Sequence, residues 1–99
     1  MKDTVRVTRA VNGIHKFTAT FSDGSKVHFG RKGYSDYTKH KDRQRMMRYL
    51  TRHRSRENWT RSGAKTAGFW SRWLLWSSPS LSGAAAKTSR ILGKKIVLK

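Results

Sequence analysis

In 99 residues the chain carries 23 lysines and arginines against 5 aspartates and glutamates, a formal net charge of +18, and no cysteine. That length suits one small domain and excludes a multidomain enzyme with its own cofactor module. The missing thiols exclude a disulfide framework, a thiolate nucleophile and a cysteine zinc site. A chain so charged repels itself and seeks polyanions, yet four Trp, three Tyr and four Phe supply more apolar area than a solvated basic tail needs, so a folded core is expected.

Residues 1–30 alternate with period two. Val5, Val7, Val11, Phe17, Ala19, Phe21, Val27 and Phe29 fall on odd positions, and Lys16, Thr18, Thr20, Lys26 and His28 on even ones. Such alternation is the mark of a half-buried strand. Asn12-Gly13, which suits a type I′ turn, and Asp23-Gly24 punctuate the run, which predicts a three-stranded antiparallel β-meander.

Gly30 and Gly33 bracket a linker, after which residues 31–92 read as a helical region. A basic helix is expected over about 39–56, with Asp36 or Thr38 as N-cap and Asp42 in its first turn, where the helix dipole favours an acid. At 100° per residue Lys41, Arg45, Arg48, Arg52 and Arg56 share a stripe about 80° wide. Opposite it lies a thin apolar seam of Met46, Leu50 and Met47, flanked by Tyr49 and His53, expected to rest on the meander.

Thr66 is placed to cap a second helix over about 66–76. There Phe69, Trp73 and Trp76 follow one another at i, i+4 and i+7, with Trp70 and Leu74 on the adjoining face. Only Ser71 and Arg72 are polar, so this helix must be covered by the rest of the chain or by a partner. Ser78-Pro79 opens a third helix, about 79–92, with Leu81, Ala84, Ala85, Thr88, Ile91 and Leu92 on its apolar face and Gly93 at its end. Residues 93–99 form a C-terminal arm, strand or not. The expected fold class is α+β: a three-stranded antiparallel meander followed by two or three short helices. No apolar leader follows Met1, and the run from Phe69 to Trp76 is far shorter than the ~20 residues that span a bilayer. The expectation is therefore an intracellular or particle-embedded protein that is not secreted.

Catalysis has little material. The acids are Asp3, Asp23, Asp36, Asp42 and Glu57, and no two suggest a paired acid and base. His53 and Glu57 at i, i+4 have a spacing that can hold a metal, but Glu57 among Arg52, Arg54 and Arg56 reads better as a counter-charge. No catalytic residue, metal or cofactor is expected. The stripe of Lys41, Arg45, Arg48, Arg52 and Arg56 reads as a polyanion-binding surface, because like charges at i, i+4 and i+7 repel without alternating acids and arginine captures phosphate or carboxylate bidentately. The aromatic cluster of Phe69, Trp70, Trp73 and Trp76 reads as packing, in a core or as a hydrophobic anchor at an interface. Buried indole N–H groups there need acceptors.

Phe29-Gly30, Gly33-Tyr34-Ser35-Asp36-Tyr37-Thr38, His40-Lys41-Asp42, Arg45, Tyr49, Arg52-His53, Glu57, Trp59 and the run from Thr66 to Trp76 together resemble a family of short basic proteins of large nucleocytoplasmic DNA viruses, including those of algae. The resemblance covers roughly residues 27–82, and Ser77-Ser78 departs from the family pattern. It implies no enzymatic activity. It does imply a minor capsid or cement-type protein of the virion, facing inward, whose partners are the major capsid protein and other minor capsid proteins. The Trp-rich helix would anchor neighbouring subunits, and the arginine stripe would meet acidic capsid surfaces, nucleic acid or an acidic membrane surface. The alternative expectation is a nucleic-acid-binding protein, either DNA-condensing or a ribosomal-type RNA binder.

Overall fold

A computed structural model describes residues 4–98. Strands β1 (Thr4–Arg9), β2 (His15–Thr20) and β3 (Lys26–Arg31) form the expected antiparallel meander. Helices α1 (Tyr37–His40), α2 (Arg43–His53), α3 (Ala67–Trp70) and α4 (Leu81–Leu92) follow. The fold class is α+β, and the expected C-terminal arm is a strand. β4 (Lys95–Leu98) joins the sheet parallel to β1, pairing Thr4 with Lys95 and Val7 with Leu98, which gives the order β3-β2-β1-β4.

One face of the sheet is covered. Val5, Val7, Ala19, Val27 and Phe29 are buried beneath Phe69, Trp70, Leu74, Leu75, Ala84 and Leu92, so the period-two pattern does select the inner face. One exception lies within β2, where Thr18 on the even face is buried with its Oγ1 2.8 Å from His28 Nδ1; another lies in a turn. Asn12-Gly13 is part of a wider loop than a type I′ turn, because Ala10 N–H bonds Lys16 O at 3.1 Å and the Asn12 side chain accepts from the N–H groups of Ile14 and His15. Val11, counted with the apolar face, is therefore fully exposed at the loop tip. At the start of β2, the paired positions skip Lys16 and Gly30 between His15↔Arg31 and Phe17↔Phe29, and Gly30 adopts φ +73°. A positive φ is available to glycine at little cost. Here it turns Lys16 toward Asp36, with Nζ 2.6 Å from Oδ2.

The basic helix is two helices. Asp36, buried, caps α1 by accepting from Thr38 N–H at 3.0 Å, and Lys41 ends it in the left-handed region with φ 55°. Asp42 is the N-cap of α2, accepting from the N–H groups of Gln44 and Arg45. Neighbouring caps at Asp36 and Asp42 thus replace one start with two. The buried residue of α2 is Tyr49, not the expected Met seam: Met47 is exposed and Met46 and Leu50 are half-buried. Tyr49 stacks on Trp76, with centroids 4.3 Å apart and planes 3° from parallel, so the helix leans on the aromatic helix instead of the strands.

Thr66 caps α3 as expected, its Oγ1 accepting from Phe69 N–H. The helix then widens into a π turn over Ser71–Leu75. This changes which side chains share a face. Phe69 with Leu74 and Trp70 with Leu75, each five residues apart, enter the core, and Trp73 and Trp76 are left half-buried. An α-helical period predicts spacings of three and four, and the π turn shifts them to five. Phe69 and Trp70 are fully buried in the chain's own core, so of the four expected anchor residues only Trp73 and Trp76 reach the surface. Ser80, rather than a residue before Pro79, caps α4 by accepting from Gly83 N–H. Gly93 ends that helix at φ 68°.

Candidate polyanion-binding cleft

Between the end of β3, α2 and the π turn lies a cleft of about 500 Å³. Arg31 and Lys16 reach it from the sheet, Arg45, Tyr49, Arg52 and His53 from α2, and Tyr34 and Asp36 from the linker. Small residues, Gly30, Ala67, Gly68 and Ser71, also line it. A Cβ on Gly68 would lie 2.8 Å from the Glu57 carboxyl carbon, so glycine is what lets Glu57 close that side.

The two carboxylates in the cleft are spent on the fold. Asp36 holds Lys16 and caps α1. The Glu57 carboxylate faces His53 Nδ1 at 3.1 Å and accepts from Trp59 Nε1 at 2.8 Å. Glu57 is thus a clamp between the end of α2 and Trp59, and its partners are not the arginines expected for it. The side chains of Arg31, Arg45 and Arg52 make no hydrogen bond or ion pair among the described residues. Three arginines therefore line one cleft without an ion pair, beside a Glu57 carboxylate that is held by hydrogen bonds and keeps its charge.

The expected five-membered stripe is divided by the fold. Arg45 and Arg52 line the cleft, and Arg48 is exposed outside it. Lys41 lies between the helices and donates to the Pro79 carbonyl at 2.7 Å, which ties the α1–α2 junction to the start of α4. Arg56 lies beyond the end of α2 and is exposed. Arg31, Lys16 and Tyr34 were outside the sequence-based set. Their meeting with α2 at the cleft is a tertiary contact that no local pattern announces.

Burial holds the Tyr49 hydroxyl well above its ordinary range, and the Glu57 charge pushes in the same direction. His40 is shifted down by desolvation and by Arg45; its Nδ1 accepts from Asp42 N–H at 2.9 Å. Two of the indole N–H groups find acceptors within the chain: Trp70 donates to Ala64 O and Trp73 to Trp59 O, each at 2.7 Å. Arg72 is sandwiched there, 4.2 Å from the Trp73 ring centre and 5.3 Å from that of Trp59, and burial lowers its pKa. Among the described residues no three His, Asp or Glu side chains gather as metal ligands, and no helix is long and apolar enough to cross a membrane.

Fold and cleft together define a small α+β domain with a basic recess beside its sheet. Over residues 5–53, just under half of the chain, the sequence is similar to DUF5754, a family of unknown function. The matched stretch runs from β1 to the end of α2 and includes Arg31, Tyr34, Asp36, Arg45 and Arg52. No curated protein and no solved structure matches the chain.

Proposed function

We propose that this chain is a non-enzymatic structural component of a large DNA virus particle, a minor capsid or cement-type adaptor that grips a polyanionic surface through the arginine cleft. The observation that carries the binding half of this reading is the set of three unpaired guanidinium groups facing one recess whose carboxylates are both engaged. The viral half rests on the sequence resemblance, with the major capsid protein and other minor capsid proteins as partners on the inner face of the shell. Of the aromatic anchor cluster, Trp73 and Trp76 are the two half-buried members that would touch a neighbour. Fractionation of disrupted particles tests it: the protein should stay with empty shells, and recovery only with genome cores would refute the shell assignment.

A second reading, a nucleic-acid-binding protein proper, is favoured by the same unpaired arginines. It requires log K to fall with log salt with a slope near 0.9 per phosphate contact on duplex DNA. Binding that ignores salt would exclude it.

A further inference from the structure

We infer that the cleft receives a single strand of nucleic acid, one phosphate against Arg31, Arg45 and Arg52 and the adjoining base against Tyr34. This rests on the polyanion reading above and names the ligand of that same site. Four features carry it.

The free cations in the cleft are all arginine, whose planar fork matches the oxygens of a phosphate. They come from two elements, the sheet and α2, and so line the cleft from more than one element instead of presenting a single row along one helix. The cleft is about 500 Å³, in the range of small-ligand sites, and small residues, Gly30, Ala67, Gly68 and Ser71, are part of its lining. A space of that size accommodates a phosphate with one base, whereas a duplex, with its bases stacked and paired, is too wide to enter it. Finally, Tyr34 lines the cleft with 66% of its surface exposed. Stacking on an exposed aromatic ring is how sequence-tolerant single-strand sites hold bases. Trp76, the larger ring in the same cleft, already stacks on Tyr49 and has His40 5.3 Å away, which leaves Tyr34 as the free platform. An acidic peptide would satisfy the arginines but has no use for that ring.

The test is fluorescence anisotropy of the full chain with three labelled probes: a short oligothymidylate, a DNA duplex of equal length and an oligoglutamate peptide. At ~0.15 M salt the oligothymidylate should bind about tenfold or more tighter than the other two. Arg45→Gln with Arg52→Gln should weaken it about tenfold or more and reduce the salt slope by up to about 0.7, the share of one phosphate contact on single strands. Arg43→Gln with Arg48→Gln removes the same charge from the same helix outside the cleft and should cost less than about twofold, since only long-range attraction changes. Tyr34→Ala should weaken binding about tenfold with the slope unchanged, and Tyr34→Phe should restore it. Circular dichroism confirms that each variant is folded. Equal losses from the two arginine pairs, or an unaffected Tyr34→Ala, would overturn the inference. Preference for duplex or oligoglutamate would also overturn it while leaving the polyanion reading in place; failure of all three probes to bind would remove that reading too.

Discussion

Replacing Trp70 by alanine should cost far more stability than replacing Trp73, although both are tryptophans of one helix three residues apart. Trp70 is fully buried. Its ring stacks on Phe29 at 5.7 Å, meets Phe21 and Phe69 edge-on at 5.9 and 5.7 Å, and its N–H bonds Ala64 O at 2.7 Å. Truncation removes the ring, leaves a cavity under the sheet and strands a carbonyl, for which ~4 kcal/mol is the central expectation. Trp73 is half-buried and keeps part of its ring in water; its loss should cost about 2 kcal/mol. With a urea dependence of roughly 1.5 kcal/mol/M for a domain of this size, these losses lower the denaturation midpoint by about 2.7 M and about 1.3 M. Against a total stability of roughly 5–15 kcal/mol, Trp70→Ala takes a large share. Equilibrium urea unfolding followed by circular dichroism at 222 nm (far-UV helix signal), with the slope checked for constancy, is the assay. Equal shifts, or a larger one for Trp73→Ala, would refute the π-turn assignment of the core face, because a plain α-helix has no reason to favour the 69/70/74/75 set over one containing Trp73.

Gly30→Ala should lower stability by about 1–3 kcal/mol in the same assay, since its Cβ would lie 2.9 Å from Leu75 Cδ1 on a backbone at φ +73°; an unchanged midpoint would show that the positive φ at Gly30 is not required. Asp36→Asn should cost about 3 kcal/mol by leaving Lys16 nearly buried and unpaired, and Lys16→Met added to it should recover part of that loss in thermal melts. His40 is held neutral in the fold below its ordinary value of 6.5. The unfolded chain therefore takes up that proton first as the pH drops, so this contribution is complete above pH 6.5 and is lost as the pH falls toward the folded value. Urea midpoints measured from pH 7.5 down to 5.0 should decline, and His40→Asn, which keeps an acceptor near Asp42 N–H, should flatten the decline.

The parts of this fold legible in the sequence are those written in short-range periods and caps. The three meander strands, the Thr66 cap and the apolar face of α4 all follow from spacing within a few residues. Where a second, equally local signal competed, the reading went astray: Asp36 and Asp42 are both good N-caps six residues apart, and one long helix had to give way to two. Whether an aromatic run winds with an α or a π period depends on what the sheet beneath it accepts, and the depth of Phe29 below Trp70 is not a property of residues 66–76. The cleft was half legible. Arg45 and Arg52 could be found on the stripe, but the stripe also contained Lys41, Arg48 and Arg56, which the break at Lys41 and the end of α2 send elsewhere. Arg31 and Tyr34 join the site where the end of β3 and the linker after it meet α2, a long-range encounter that no single-sequence period encodes.

Pairing β1 with β4 joins positions 91 apart in sequence, Thr4 with Lys95. Closing so large a loop carries an entropy cost that must be met before any of its contacts form, and topologies dominated by such pairings fold slowly. Until residues 95–98 emerge during synthesis, β1 has one edge unpaired, and an open edge beside Val5 and Val7 is a template for aggregation. A net charge of +18 keeps half-folded copies from approaching one another. The same excess of lysine and arginine thus has a second task in the life of the chain, as a guard over the interval between the first strand and the last.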